Sequence, residues 1–475
     1  VTSSLAAGDF RQQHLSLMHG WLPLVIQALT VAILLAAIGR RSRRWGVVWL
    51  PVALAVGAAM AAATYWVISS QGMSDDPAPN LLWVWIAVTG FAAVVFVAGW
   101  RNSGWGRRTA SAVGLPMALL CAALALNLWV GYFPTVQTAW NQLTEGPLPD
   151  QADQATVVAM QSKHQVPAKG VVVPVNIDSS ASGFKHRGEL VYLPPAYFAS
   201  NPAPHLPTLM MIGGEFNTPG DWLRAGNAIK TVDDYAAANG GNAPVLVFVD
   251  TGGAFNNDTE CVNGPRGNSA DHLTKDVVPF MESTYGVSTN RANWGLVGWS
   301  MGGTCAVDLA TMHPDVFSTF EDIAGDLAPN SGNKQQTVDR LFGGDAAAYA
   351  AFDPTAVMTK HGRYQGISGW FAINGSAPSS GPTVVNAVNS NGTGLGGKDA
   401  SVRLSDQAAA ANKLCALGAA NGIQCAVVTQ PGKHDWPFAD RAFTAALPWL
   451  AGQIGTPGVP RLGLPGATPL ASHAQ

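Results

Sequence analysis

The chain has 475 residues, too many for one ordinary domain, and its charged fraction of 12% is about half of the ~25% usual for soluble proteins. Residues 1–133 contain no Lys and no Glu, only Asp9, Asp75 and Asp76 as acids, and eight Arg, which leaves 19 basic and 27 acidic residues beyond them. A remainder that acidic excludes nucleic acid held through its phosphates as a partner.

Four apolar stretches come first, at Gly20–Gly39, Gly46–Ile68, Leu81–Trp100 and Ser111–Tyr132. Each is near the ~20 residues that a helix needs to cross the hydrocarbon core of a bilayer, so residues 1–133 are predicted to form an all-α, four-helix transmembrane domain. A cleavable signal peptide is not expected, because no single short apolar segment is followed by an A-x-A site and a soluble remainder. Arg40, Arg41, Arg43 and Arg44 fill the first loop and Arg101, Arg107 and Arg108 the third, while the second loop, Ser69–Asn80, has two aspartates and no basic residue. The excess of arginine places loops one and three inside and both ends of the bundle outside. Trp21, Trp45, Trp66, Trp83, Trp85, Trp100 and Trp129 lie near the ends of the stretches, as interfacial anchors do. Everything after Phe133 is therefore expected to be extracytoplasmic, on a multi-pass protein of the plasma membrane.

Residues 134–168, rich in Gln, Thr, Pro and Asp without sustained periodicity, read as a linker. Residues 169–454 read as an α/β domain with a largely parallel sheet. Strands are predicted at Gly170–Ile177, Gly188–Leu193, Leu206–Ile212, Ala243–Asp250, Ala292–Gly298, Thr319–Ala324, Gly369–Asn374 and Gln424–Gln430. Helices are predicted near Asp221–Ala238, Ala270–Tyr285, Met301–Met312, Ser405–Ala420 and Ala439–Ile454. Residues 455–475, with Pro457, Pro460, Pro465 and Pro469, read as a flexible tail.

Cys261, Cys305, Cys415 and Cys425 form an even set in the exported part, where disulfides persist, and Cys121 stands apart in the fourth span. A predicted helix and the strand after it bracket a short glycine-containing turn between Cys415 and Cys425, which makes these two the expected pair and Cys261 with Cys305 the remaining one, while the sequence alone leaves the connectivity open. No C-x-x-C or paired Cys/His spacing points to a metal, and no cofactor is expected.

The sharpest local signal is Gly298-Trp299-Ser300-Met301-Gly302, a G-x-S-x-G between a predicted strand and a predicted helix. Such a turn lifts the serine hydroxyl above the sheet and leaves the Met301 N–H at a helix N-terminus, facing a developing oxyanion. A serine nucleophile needs a base, and in this arrangement acid and then histidine follow it in the chain. Of the later histidines, His313 ends the helix that Ser300 opens, His361 lies in an insertion and His473 lies in the tail. His434, in the loop between the last strand and the last helix, is the expected base. The acid should fall between Gly369–Asn374 and the helix at Ser405. Asp399, in a loop, is the choice, and Asp406, which could equally cap that helix with Ser405, is the alternative. A second oxyanion donor is expected after the third strand, in Ile212-Gly213-Gly214-Glu215, from the N–H of Gly214 or Glu215.

These residues resemble the esterase family of α/β-hydrolases that includes esterase D, feruloyl esterases and the mycobacterial mycolyltransferases. The resemblance runs over Val171–Gly452. It rests on Gly298 to Gly303, on Asp258-Thr259-Glu260-Cys261 followed by a helix with Asp276 and Tyr285, on Met312 to Phe317, and on Gly432 to Trp436. It implies an α/β-hydrolase fold and an acyl-enzyme on Ser300 with His434 as base; joined to four spans, it looks like an actinobacterial envelope arrangement. Two departures stand out. Mycolyltransferases carry Asp-Gly-Leu where this chain has Ile212-Gly213-Gly214, so the aspartate that would contact the sugar is absent and trehalose is not implied as acceptor. The segment Ser376–Lys398 displaces the acid from its place in simpler esterases.

The expected function is thus a membrane-anchored serine esterase acting on ester bonds of lipid or cell-envelope substrates. An acyltransferase that passes the acyl group to an envelope alcohol is the alternative, and a catalytically silent envelope-binding domain is the reading outside enzymes.

Overall fold

The computed structural model describes residues 15–39, 42–71, 78–100, 103–144, 148, 150–375, 383–385 and 405–466. The chain divides into two compact units, residues 1–70 with 77–146, and residues 71–76 with 147–475.

The first unit is built of α1 (Trp21–Ile38), α2 (Leu50–Gln71), α3 (Asn80–Gly99) and α4 (Trp105–Val130), and a π-turn at Trp45–Trp49 extends α2 at its start. All four are long and apolar enough to cross a membrane. Leu24, Leu29, Leu35, Leu54, Val97 and Leu119 are exposed, as side chains on a helix that is apolar all round and meets lipid would be. Small residues bring the helices together. A Cβ at Gly90 of α3 would lie 3.0 Å from the Gly57 Cα of α2, and one at Gly114 of α4 would lie 2.8 Å from Leu34 Cδ2 of α1. Close backbone approach of this kind supplies the van der Waals packing that holds helices together where no hydrophobic effect acts between them. Thr30 Oγ1 and Cys121 Sγ meet at 3.3 Å between α1 and α4. Past the end of α4, the Asn127 side chain donates to Phe133 O at 2.8 Å and accepts its N–H at 2.6 Å.

The second unit carries a nine-stranded sheet. In chain order the strands are β1 (Val171–Val175), β2 (Glu189–Leu193), β3 (Thr208–Ile212), β4 (Val245–Val249), β5 (Asn263–Gly264), β6 (Gly267–Asn268), β7 (Trp294–Trp299), β8 (Thr319–Ile323), β9 (Ser368–Gly375), β10 (Thr383–Val385) and β11 (Gln424–Pro431). The sheet order is β1-β2-β4-β3-β7-β8-β9-β11-β10, and β5 with β6 forms a separate hairpin. The six strands from β4 to β11 pair in parallel, while β1, β2 and β10 join antiparallel at the edges. Every residue of β3, β4, β7 and β8 is buried, as a parallel sheet covered on both faces requires. The covering helices include α5 (Ala228–Ala238), α6 (Val278–Tyr285), α7 (Met301–Met312), α8 (Ser405–Ala420) and α9 (Trp436–Gln453). This is the expected α/β-hydrolase architecture, with the eight predicted strands in place.

Several details differ from the sequence reading. The helix expected over Asp221–Ala238 breaks after Arg224, where Asn227 takes a φ of 53° and a Cβ at Gly226 would meet the Trp436 ring at 2.7 Å. Three helices between β8 and β9, Lys334–Phe342, Ala346–Phe352 and Pro354–His361, were not anticipated; Asn333, Asp345 and Asp353 cap them, each through its side chain. The region 134–168 contains helices Val136–Leu143 and Gln154–Ser162, and the second buries Val157 in the core of the sheet unit. Beyond α9, Arg461 donates to Gln453 Oε1 at 2.9 Å, and Gln453 donates to Leu462 O at 2.6 Å.

Both disulfides expected from the sequence are formed, Cys261–Cys305 and Cys415–Cys425, and Cys121 is free and buried. The first ties the loop after β4 to α7, and the second ties α8 to β11.

Candidate active site

Strand β7 lies near the middle of the parallel sheet, between β3 and β8, and Ser300 stands at its C-terminal end, directly before α7. Its backbone is at φ 56°, ψ −122°, a conformation that an L-residue adopts only under local constraint. The constraint is visible on both sides. A Cβ at Gly298 would collide with the Gly302 carbonyl, and one at Gly302 would lie 2.6 Å from Gly213 O, so the turn closes only with glycine at these two positions. The Ser300 N–H donates to Ile323 O of β8 at 2.9 Å and Ser300 O accepts from Gly303 N–H at 2.7 Å, which pins the turn from the neighbouring strand and from the helix.

His434 follows β11 and precedes α9, whose first turn is capped by the Asp435 carboxylate accepting from Phe438 N–H at 3.0 Å. That cap, and the Trp299 ring 4.4 Å from the imidazole, fix where the loop sends its histidine. The result is a contact of 3.0 Å between His434 Nε2 and Ser300 Oγ. Burial presses the imidazole pKa down to about 4, which keeps the ring neutral and able to accept a proton at neutral pH.

On the other ring nitrogen, Gln407 Nε2 lies 3.3 Å from His434 Nδ1 and 3.4 Å from Ala324 O. Gln407 lies outside the expected Ser–acid–His set, since that pattern points to a carboxylate; its place two residues into α8 is the sequence signal for it. Of the two acids considered, Asp399 lies outside the described residues. Asp406 falls in the first turn of α8, with its side chain likewise outside them.

Met301 is the first residue of α7, so its N–H has no carbonyl one turn back to bind. Gly214 lies against Ser300, since a Cβ there would be 3.2 Å from Ser300 Cβ and 3.3 Å from Trp299 O. Its N–H donates to Asn217 Oδ1 at 2.8 Å, and Asn217 N–H donates back to Gly214 O at 3.2 Å. Arg187 holds this small loop from outside. Its guanidinium donates to Asn217 O at 2.7 Å and to both carboxylate oxygens of Asp250, at 2.6 and 3.0 Å. Two residues beyond Gly214, Phe216 packs its ring 5.3 Å from that of Phe255, which is exposed.

Beneath the turn, Asp322 of β8 accepts the Gly325 N–H at 2.7 Å. Burial raises its carboxyl to about 7 against the opposing effect of that bond.

Residues 182–450 match the Esterase family, whose description is "Putative esterase". The chain belongs to this family. The Esterase match makes it a serine hydrolase or acyltransferase, with an ester as the class of substrate. An uncharacterised protein of Corynebacterium glutamicum is 29% identical over 359 residues, covering 73% of this chain and 81% of the relative. Among solved structures, an S-formylglutathione hydrolase from Agrobacterium tumefaciens is similar with a TM-score of 0.46 and 16% identity, over 61% of this chain and 97% of that one. A ferulic acid esterase gives 0.41 and 18%, over 59% and 98%. The MPT51 protein of Mycobacterium tuberculosis gives 0.38 and 17%, over 59% and 99%.

Proposed function

We propose that this esterase-family chain is a membrane-anchored acyl-enzyme catalyst, in which Ser300 attacks an ester carbonyl while His434 takes its proton and returns it to the leaving alcohol. The observation that carries this reading is the 3.0 Å contact between His434 Nε2 and Ser300 Oγ on a strand-turn-helix elbow. The acid that orients the imidazolium is Asp399, with Asp406 as the alternative. Met301 N–H supplies one oxyanion donor. Gly214 N–H supplies the other once the incoming oxyanion displaces Asn217 Oδ1. The acyl-enzyme is released to water in the esterase reading, or to an envelope alcohol in the acyltransferase reading.

Four helices long and apolar enough to cross a membrane support anchoring, and the arginine bias of their first and third loops supports a catalytic unit outside the cytoplasm. Two disulfides in that unit are consistent with an oxidising compartment. Tethering raises the local concentration of lipid and envelope-linked esters, and the Phe216–Phe255 pair beside the Gly214 loop offers apolar surface for an acyl chain. These features favour a lipid or envelope ester as substrate.

The test is fluorophosphonate labelling of the detergent-solubilised chain, followed by product analysis with isolated envelope lipids. Labelling that disappears in Ser300→Ala is the expected result. A parent chain that takes no label sinks the enzyme reading, and a labelled enzyme that processes short soluble esters but no membrane lipid sinks the substrate reading.

A further inference from the structure

Away from Ser300, the second unit gathers a buried His–Glu–His cluster that the catalytic reading does not use. His186 precedes β2, Glu189 is the first residue of β2, and His272 lies in the helical segment leading into α6. Their side chains are 5%, 0% and 0% exposed. His186 Nδ1 and His272 Nε2 both lie 2.9 Å from the same oxygen, Glu189 Oε1. One potential ligand atom from each of the three residues lies within 4.8 Å of the others.

The remaining ring nitrogens decide what this convergence means. His186 Nε2 faces Ile177 O at 2.8 Å, and His272 Nδ1 faces Asp276 Oδ2 at 3.2 Å. His186 Nε2 therefore donates to the carbonyl, and His272, which faces a carboxylate oxygen at each nitrogen, can donate to Asp276 and turn its Nε2 lone pair inward. His186 Nδ1 then faces only Glu189 Oε1 and, at 2.8 Å, Arg187 O. In that tautomer three electron-rich atoms converge, and Glu189 Oε2 is buried without a hydrogen-bond partner. The two rings stack with centroids 4.3 Å apart, and both reach the same Glu189 oxygen. One divalent cation would take these lone pairs together.

We propose that His186 Nδ1, His272 Nε2 and Glu189 bind a zinc-class divalent ion. Two imidazoles and a carboxylate form the donor set that such ions take at about 2.0–2.2 Å. Glu189 Oε2 completes a bidentate grip, and Arg187 O stands beside the site as a further oxygen. The surroundings follow the pattern of metal-ligating histidines, whose second nitrogen donates to a backbone carbonyl or a carboxylate. Here Ile177 O serves His186 and Asp276 serves His272, while Ala181 N–H holds the other Asp276 oxygen at 3.0 Å. The site is structural rather than catalytic. Its ligand His186 is adjacent to Arg187, whose guanidinium fixes Asn217 O in the Gly214 loop, so the ion stiffens one wall of the active site without touching substrate.

The site stands whether or not Ser300 is the nucleophile, and its test reads metal rather than activity. The full chain, purified in detergent, is dialysed against zinc and then against metal-free buffer, and its metal content is measured. About one zinc per chain is expected, falling below about one tenth in Glu189→Gln and in His272→Gln. Cobalt should replace zinc and give visible d–d bands of four- or five-coordinate nitrogen and oxygen ligation. A strong chelator should lower the melting temperature of the parent and not that of either substituted chain. Should a substitution prevent folding, the cobalt spectrum and the chelator shift of the parent decide alone. A parent chain that retains neither zinc nor cobalt and melts identically with and without chelator overturns the proposal, as does stoichiometric zinc in folded Glu189→Gln.

Discussion

Trp299 and His434 lie 135 positions apart along the chain, yet their rings are 4.4 Å apart, tilted by 31°. The residue just before the proposed nucleophile therefore packs against the residue proposed to be its base, and the same contact covers one face of the half-buried imidazole. Trp436 extends this aromatic surface, with its ring 6.1 Å from that of Trp299 and 5.3 Å from that of Trp222.

Substituting either reacting residue should stop acyl-enzyme formation. Ser300→Ala and His434→Ala are each expected to lower ester turnover by more than about 10³-fold, because members of a coupled pair fail together rather than additively. Steady-state hydrolysis of a chromogenic ester checks this. Residual turnover within about tenfold of the parent in either variant argues for a different nucleophile or base.

The pH profile follows from the depressed imidazole. Only the neutral ring accepts the Ser300 proton, and burial holds its pKa near about 4 rather than the usual ~6.5. Fluorophosphonate capture should therefore hold its neutral-pH rate well below pH 6.5 and fall only as pH approaches about 4. The linked effect on folding has a definite sign. The unfolded chain binds this proton more readily, so the stability contributed by a neutral His434 is complete above ~6.5 and is lost as pH falls from there toward about 4. A capture rate already halved near pH 6.5 means that the ring is solvated.

Closure of the elbow should tolerate no side chain at Gly302. A methyl group there meets the carbonyl oxygens of Ile212 and Gly213. Gly302→Ala should cost about 1–3 kcal/mol, as overpacking of a tight interior does, and should slow labelling because the serine shifts with the turn. Thermal melting and labelling kinetics of the purified chain report the two effects separately.

Reduction should act on α7. The Cys261–Cys305 bridge spans a sequence separation of 44 and anchors in the helix that Ser300 opens. Loop-closure entropy assigns such a bridge about 4 kcal/mol. The double substitution Cys261→Ala, Cys305→Ala is expected to melt at a clearly lower temperature and to lose most of the further drop caused by reductant. An unchanged melting temperature means that the bridge constrains nothing that folding needs.

The parallel strands could be read from sequence because each is a short apolar run with turn residues on both sides, as in Leu209 to Ile212 and Val245 to Val249. The meeting of Ser300 with His434 was legible for a related reason: a G-x-S-x-G and a post-strand histidine obey fixed local geometry. Residues that act through a fold-dependent meeting were not legible. Gln407 reaches His434 only because α8 docks beside β11. Asn217 meets Gly214 N–H through a loop whose shape depends on Arg187, 30 residues earlier. The His186–Glu189–His272 cluster was invisible to spacing rules because 83 residues separate Glu189 from His272. The helices between β8 and β9 were missed for want of a long apolar period, since each is short and held by its cap.

The positive φ at Ser300 sets the proposed catalysis against folding at a single residue. A left-handed backbone disfavours any residue with a Cβ by about 1–2 kcal/mol and costs glycine almost nothing. Ser300→Gly should therefore give a protein that melts higher than the parent and does no chemistry. A lineage selected only for a durable fold would drift toward that glycine, so in the proposed mechanism the serine is a place where use, and not stability, has the deciding vote.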